Sequence, residues 1–251
     1  MVRNSWKFQS LNEKITLKDN ELHIWKTKIS ANIDNIDNYW HLLAQNEQAR
    51  AKEFYFAVDS NRYIITRAIL KKLIATYLGI FPQDVLFEYT EYGKPYLCLD
   101  LKNNFQALKF NLAHSRDSII YGFTKNIDIG VDIEFINKDF IIDDLVQHCC
   151  SKQEQDKMIT LFEEQKYSYF YNLWVIKEAL VKAIGFGLSY DLRQIHVNFN
   201  KNKLISATNV INNCKLCWTQ NIFFAYNGYC SAFALRKSAE KVFFFAYNDT
   251  N

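Results

Sequence analysis

Apolar and polar positions change period in a regular order along the 251-residue chain. Positions 22 to 29 alternate, as a half-buried strand does. From 34 to 56 the pattern is helical, with Trp40, Leu43, Ala44, Ala51 and Phe54 near one face. Asp59-Ser60-Asn61 is a capping cluster that predicts a strong helix over 62–77. Its apolar stripe is Ile64, Ile65, Ala68, Ile69, Leu73 and Ile74, and Gly79 stands where a helix end takes left-handed backbone. Short strands are expected over 84–89, 107–112 and 119–124, with a turn at 91–95.

The second half follows a similar order. A strand is expected at 127–133, helices over 141–150 and 152–162, and a second strong helix over 167–183, closed by Gly185 and Gly187. Strands follow near 194–199, 204–207, 215–224, 229–235 and 242–247. Arg67-Ala-Ile-Leu-Lys71 can be laid on Glu178-Ala-Leu-Val-Lys182. This predicts an α+β fold of two similar α/β halves, 1–125 and 126–251. No Gly/Ser/Pro-rich linker marks the seam, so the halves are expected to pack closely.

Composition narrows the class. With 49% hydrophobic residues the chain can bury a core, which excludes disorder as the main state. Only 7 Gly and 2 Pro are present, so turns fall mostly on Asn, Asp and Ser. A net charge of +3 is not that of a nucleic-acid-binding domain. The distribution says more. Basic residues outnumber acidic ones six to three over 45–72, whereas acidic residues lead nine to three over 130–164. Either these are two solvated faces, or an anion-binding region faces a cation-binding one.

The start of the chain shows no secretory leader, and no apolar run approaches the roughly 18 residues that span a bilayer. A cytoplasmic protein with reduced thiols and no membrane partner is expected. Cys214-Lys-Leu-Cys217 is a single CxxC, which His148-Cys149-Cys150 would have to complete as a zinc site. Ordinary structural thiols account for all six cysteines more simply.

Four motifs carry candidate chemistry. In Gly130-Val-Asp132-Ile-Glu134 the two acids share one strand face, which is costly unless a cation sits between them or the face is solvated. Oxygen ligands alone suit Mg²⁺ or Mn²⁺. Gly130 leaves that face open, so a bulky anion could approach the backbone. In Trp174-Val-Ile-Lys177-Glu178-Ala-Leu-Val-Lys182, Glu178 and Lys182 share a helix face, as a surface ion pair also would. Phe110-Asn-Leu-Ala113-His114-Ser115 places a histidine at a strand end, and Glu91-Tyr-Gly93-Lys94-Pro95 is a rigid turn presenting a cation.

Together these motifs resemble the 4′-phosphopantetheinyl transferases of the Sfp type. The resemblance rests on GVDIE, then 43 residues between Glu134 and Glu178, then W-x-x-KE-x-x-x-K, preceded by YGKP and FNLAHS. It implies two pseudo-two-fold halves with the active site in the cleft between them. The implied activity moves the phosphopantetheine arm of coenzyme A onto a serine of an apo acyl, polyketide or peptidyl carrier protein, releasing 3′,5′-ADP. Asp132, Glu134 and Glu178 would hold Mg²⁺. Glu178, or a water it positions, would be the base, and Lys182 would serve the leaving phosphate.

Arg50, Arg62, Gly93, Lys94, Pro95, Ala113 and His114 would line the nucleotide, with Arg50, Arg62, Lys94 and His114 at its 3′-phosphate. Two positions depart from the family's pattern. Ala113 stands where a hydroxyl is usual, and Glu47 where a lysine is often found. The resemblance further implies a monomer, and Phe135, Phe140 and Leu145 are carrier-docking candidates or plain core. Another Mg-dependent phosphoryl enzyme would leave the KE-x-x-x-K helix unexplained. A non-catalytic carrier-binding module would be expected to lack Asp132, Glu178 or Lys182, and all three are present.

Overall fold

The structure, a computed structural model, describes residues 5–9, 15–98, 107–187, 190–200, 203–211 and 214–248. The first half comprises β1 (Lys7–Phe8), β2 (Glu21–Lys28), a 3-10 turn at Ser30–Asn35, α1 (Ile36–Trp40), α2 (Gln45–Lys52) and α3 (Ala57–Leu78). It continues with β3 (Phe87–Tyr89), β4 (Pro95–Leu97), β5 (Leu108–Ser115) and β6 (Ser118–Lys125). The second half begins with β7 (Ile129–Phe135), α4 (Asp143–Cys149), α5 (Lys152–Ile159) and α6 (Glu163–Ile184). It ends with β8 (His196–Asn200), β9 (Lys203–Ile211), β10 (Cys214–Cys217), β11 (Thr219–Phe223), β12 (Tyr229–Leu235) and β13 (Lys241–Ala246).

Several expected boundaries move. The pattern over 34–56 is two short helices, because 41–44 leave the helical path. Helix α3 starts at Ala57 rather than 62: Phe56 is its extended N-cap, and Asp59 lies inside the first turn and pairs with Arg62 at 2.7 Å. A carboxylate there suits the positive end of the helix dipole without being the cap. Pro82–Asp84 forms a 3-10 turn, which shortens the strand expected over 84–89 to β3. Trp218 divides the strand expected over 215–224 into β10 and β11.

Four layers stack as helix, sheet, sheet, helix. The first sheet has the order β1-β13-β2-β6-β5, and the last strand, β13, lies parallel between β1 and β2. The second is β11-β12-β7, antiparallel throughout. Helix α3 packs on the outer face of the first sheet through Ile65, Ile69 and Leu73 against Trp25, Tyr121 and Phe123. Helix α6 covers the second sheet through Ile176, Ala179 and Leu180 against Ala232 and Ala234. Between the sheets lie Leu22, Ile24, Ile120, Val131, Ile133 and Phe233. Strands β2 and β6 are therefore buried on both faces, which is why β6 reads as a near-continuous apolar run.

The duplication is present, in a different register from the one expected. Helices α3 and α6 each have 22 residues and end at a left-handed glycine, Gly79 and Gly185. Lys71 and Lys177 each lie eight residues before that glycine. Both are fully buried. Lys71 pairs with Glu47 at 3.0 Å and Lys177 with Glu154 at 2.5 Å. Glu47 and Glu154 occupy the same N3 position of the preceding short helix, each accepting from its N-cap backbone N–H at 2.8 Å. Lys71 thus corresponds to Lys177, and the overlay of Arg67 on Glu178 is five residues out of register.

Candidate active site

Strand β7 turns Gly130, Asp132 and Glu134 toward α6, with the small residues Ala234, Ala232 and Cys230 of β12 beside them in register. A Cβ on Gly130 would lie 1.9 Å from the Ala179 carbonyl oxygen and 2.4 Å from the Ala183 nitrogen. This glycine therefore admits the backbone of α6, not a ligand, and the expectation that it clears space for an anion is corrected. The close contact brings Glu178 and Lys182 over the strand.

Lys182 Nζ donates to Asp132 Oδ1 at 2.6 Å. The expected Glu178–Lys182 pair is not the contact made. Asp132 is buried, and its Oδ2 has no hydrogen-bond partner. Burial raises the Asp132 pKa although Lys182 opposes it. Burial and then Asp132 push Glu134 up to about 7, and the same two causes raise Glu178. At Lys182 burial is outweighed by Asp132, Glu178 and Glu134, so the ammonium keeps its proton. Asp132 thus raises both Glu134 and Glu178, as carboxylates crowded round one site do, and the protonated Lys182 offsets part of the effect.

Among the described residues no group of three or more His, Cys, Asp or Glu side chains is arranged to hold a metal. The donor chemistry fits nonetheless. Three carboxylates, one with an orphaned buried oxygen, are the ligands a hard divalent cation takes. Lys182 supplies the positive charge in the present arrangement.

Strand β5 contributes from the first half. Ser115 Oγ donates to Glu134 Oε2 at 2.8 Å and accepts from Phe135 N–H at 3.1 Å, and Asn111 Oδ1 accepts from Val131 N–H at 2.9 Å. These two polar residues on one strand face hold β5 against β7. They were legible as an alternation in FNLAHS but carried no assigned role. His114, on the opposite face, is lowered to about 4 by the cleft walls and then by Arg62 and Lys182, so it is neutral near pH 7. A cavity of about 160 Å³ between α3 and β5 is lined by Arg62, Tyr63, Thr66, Arg67, Leu112 and His114. Arg62 Nε, Thr66 Oγ1 and Arg67 Nη1 are buried there without hydrogen-bond partners. Such donors suit an anion. Arg67 was missed because its sequence position shows only a helix face.

The remaining candidates lie elsewhere. Arg50 is exposed and paired with Glu53 at 2.7 Å. Ala113 is buried in the core between the sheets. Glu47 is buried and binds Arg67 and Lys71, so part of the expected basic patch is internal ion pairing. Pro95 and Lys94 line a second cavity of about 390 Å³ with Phe110, Asp128, Ile129 and Ala183. The Lys94 ammonium donates to the carbonyls of Ala183 at 2.9 Å and Ile129 at 3.4 Å. Phe140 is exposed, Leu145 packs on the second core, and Phe135 lies under the Arg116 guanidinium at 3.6 Å. Cys149, Cys150 and Cys230 are free thiols, Cys98 Sγ donates to Glu88 Oε1 at 3.2 Å, and the side chains of Cys214 and Cys217 fall outside the described residues.

Family models match both halves. Residues 128–234 match the 4′-phosphopantetheinyl transferase superfamily, and 29–122 match a 4′-phosphopantetheinyl transferase N-terminal model. The 4′-phosphopantetheinyl transferase HetI of Nostoc sp. is 30% identical over 197 residues, covering 78% of this chain and 81% of that protein. The 4′-phosphopantetheinyl transferase Sfp of Bacillus subtilis is 26% identical over 171 residues, covering 68% and 72%. The human L-aminoadipate-semialdehyde dehydrogenase-phosphopantetheinyl transferase is 27% identical over 160 residues, covering 61% and 52%. The matches run through both halves and enclose the D-x-E strand. The chain belongs to the 4′-phosphopantetheinyl transferase family, of the Sfp type.

Proposed function

We propose that the cleft between the halves takes coenzyme A and the serine of an apo carrier protein, and that the acid cluster is where transfer occurs. The reaction is transfer of the 4′-phosphopantetheine arm to that serine with release of 3′,5′-ADP. One observation carries the assignment: the Lys182–Asp132 ion pair at 2.6 Å, set beside Glu134 and Glu178 at the junction of the two sheets.

Asp132, Glu134 and Glu178 would hold Mg²⁺ or Mn²⁺, and the buried Asp132 Oδ2, which has no hydrogen-bond partner, would be free to serve as one of the ligand atoms. When bound, the metal neutralises charge on the pyrophosphate. Glu178 takes the serine proton, directly or through a water, and its raised pKa brings it nearer the range in which a base works at neutral pH. The serine Oγ–P bond forms as the P–O bond to 3′,5′-ADP breaks. Lys182 stabilises or protonates the departing phosphate oxygen. Arg62 and His114, with Arg67 beside them, bind the nucleotide's 3′-phosphate, and Pro95, two residues after Gly93, borders the second cavity near the adenosine. The Arg50 guanidinium lies over the ring of Phe54 at 5.3 Å, and Phe54 lines the first cavity, so Arg50 would stand at its edge.

The carrier is an acidic acyl, polyketide or peptidyl carrier domain, docking near Phe135 and Phe140. We further read the enzyme as a cytoplasmic monomer, in keeping with the free thiols Cys149, Cys150 and Cys230. The test is intact mass. After incubation with coenzyme A and Mg²⁺, an apo carrier should gain one phosphopantetheinyl group. No gain on any of several apo carriers would overturn the reading.

A further inference from the structure

The turn between β3 and β4 belongs to the first half, yet its two large side chains are spent on the second. Lys94 Nζ donates to the Ala183 carbonyl at 2.9 Å and to the Ile129 carbonyl at 3.4 Å. Ala183 follows Lys182 and sits in the last turn of α6, where carbonyls have no partner within the helix and a cation is favoured. Ile129 opens β7, three residues before Asp132. One ammonium therefore joins the two backbone segments that carry the ion pair of the acid cluster.

A second contact runs alongside. The Tyr92 ring meets Phe186 edge-on, centroids 5.7 Å apart, and Phe186 stacks on Tyr190 at 6.1 Å. The two glycines after α6, both with left-handed backbone, lie against this turn, Gly187 the more tightly. A Cβ on Gly187 would sit 3.2 Å from the Tyr92 carbonyl oxygen, and one on Gly185 would sit 3.4 Å from Lys94 Cδ. The Tyr92-Gly-Lys94 turn and the Gly185-Phe-Gly187 turn thus form one clasp across the halves.

We propose that Lys94 is a positioning residue: its ammonium clasps the first half to α6 and β7 and so sets the spacing of Lys182 and Asp132, instead of binding a phosphate of coenzyme A. The proposal rests on the reading of those two residues as part of the transfer site. A misplacement of about 1 Å at such a site costs up to ~100-fold in rate. The ammonium already has two acceptors, and both are backbone atoms that a ligand does not displace without loosening the helix end.

Lys94→Met keeps the aliphatic stem and removes the donor. In the transfer assay its kcat should fall about tenfold or more. KM for coenzyme A, and the preference for coenzyme A over 3′-dephospho-coenzyme A, should stay within about twofold of wild type. Amide exchange in the last turn of α6 and at the start of β7 should rise, a change that a lost phosphate contact does not produce. The opposite split overturns the proposal: unchanged kcat with a raised KM and a collapsed preference for the 3′-phosphate. So does a variant that matches wild type in every respect. If Lys94→Met fails to fold, Tyr92→Ala at the exposed end of the clasp serves, with a smaller fall in kcat expected and an unchanged kcat contradicting the proposal. Failure of the wild-type protein to transfer at all would sink the reading of the site, not the clasp alone.

Discussion

Lys177 and Glu154 form a buried ion pair that ties three elements together. Glu154 accepts from the Lys177 ammonium, from Ser151 N–H at the start of α5 and from Val197 N–H of β8. Lys177 also donates to the Cys149 carbonyl at 2.8 Å. The first half repeats the device with Lys71 and Glu47. Removing one partner of such a pair leaves a buried charge uncompensated, at a cost of about 3–5 kcal/mol. Lys177→Met should therefore lower the melting temperature by roughly 10 °C in a domain of this size. Lys177→Met with Glu154→Gln should recover part of the loss. Calorimetry of the two variants checks this, and equal melting temperatures for wild type and Lys177→Met would refute it.

Gly130→Ala should be among the most damaging single-methyl additions in the chain. The new Cβ would stand 1.9 Å from a helix carbonyl, an atom that cannot swing aside. Either α6 moves off β7 or the variant fails to fold, with destabilisation of about 3 kcal/mol or more. Denaturant melts measure the stability. A variant as stable as wild type would show that α6 and β7 are not in the described contact.

Acid should weaken the fold through His23. Its Nδ1 lies 2.8 Å from Tyr77 Oη, which also accepts from the Trp25 indole at 2.8 Å. In the tautomer with its hydrogen on Nε2 the neutral imidazole accepts the Tyr77 proton, whereas a protonated ring turns a second donor on an oxygen that already accepts from Trp25. Burial lowers His23 to about 4 despite Glu21 nearby. The unfolded value is about 6.5, so the native state binds fewer protons between the two. The contribution is full above about pH 6.5 and is lost as pH falls toward 4, up to about 3 kcal/mol. Stability measured from pH 7 to 4 should fall less steeply in His23→Gln than in wild type, and identical slopes would remove His23 from this role.

Much of the site could be read before the fold was known, and the reasons are periodic. Asp132 and Glu134 share a face because strands repeat every two residues, and Glu178 and Lys182 because helices return after about four. What could not be read were the contacts between layers. A strand glycine does not disclose whether a ligand or a helix lies over it, so in the sequence the open face at Gly130 reads as room for an anion. The partners of Lys94 are backbone carbonyls, which leave no trace in a sequence. The helix overlay matched charged residues on Glu178 and Lys182, whereas the symmetric positions are the buried lysines 71 and 177. Their acceptors lie in helices more than twenty residues upstream, at Glu47 and Glu154.

The orphaned donors between α3 and β5 carry a prediction about the nucleotide. Arg62→Ala should weaken binding of coenzyme A by about tenfold and binding of 3′-dephospho-coenzyme A far less, since a charge-assisted contact contributes about 1.5–3 kcal/mol. Titration calorimetry with the two ligands separates the cases. Equal losses would place the 3′-phosphate elsewhere.

The most direct measurement concerns Glu178. Glu178→Gln preserves shape and removes the basic oxygen, so coenzyme A should still bind by calorimetry while an apo carrier incubated with coenzyme A and Mg²⁺ shows no phosphopantetheinyl mass. Transfer at a rate close to wild type would contradict the account.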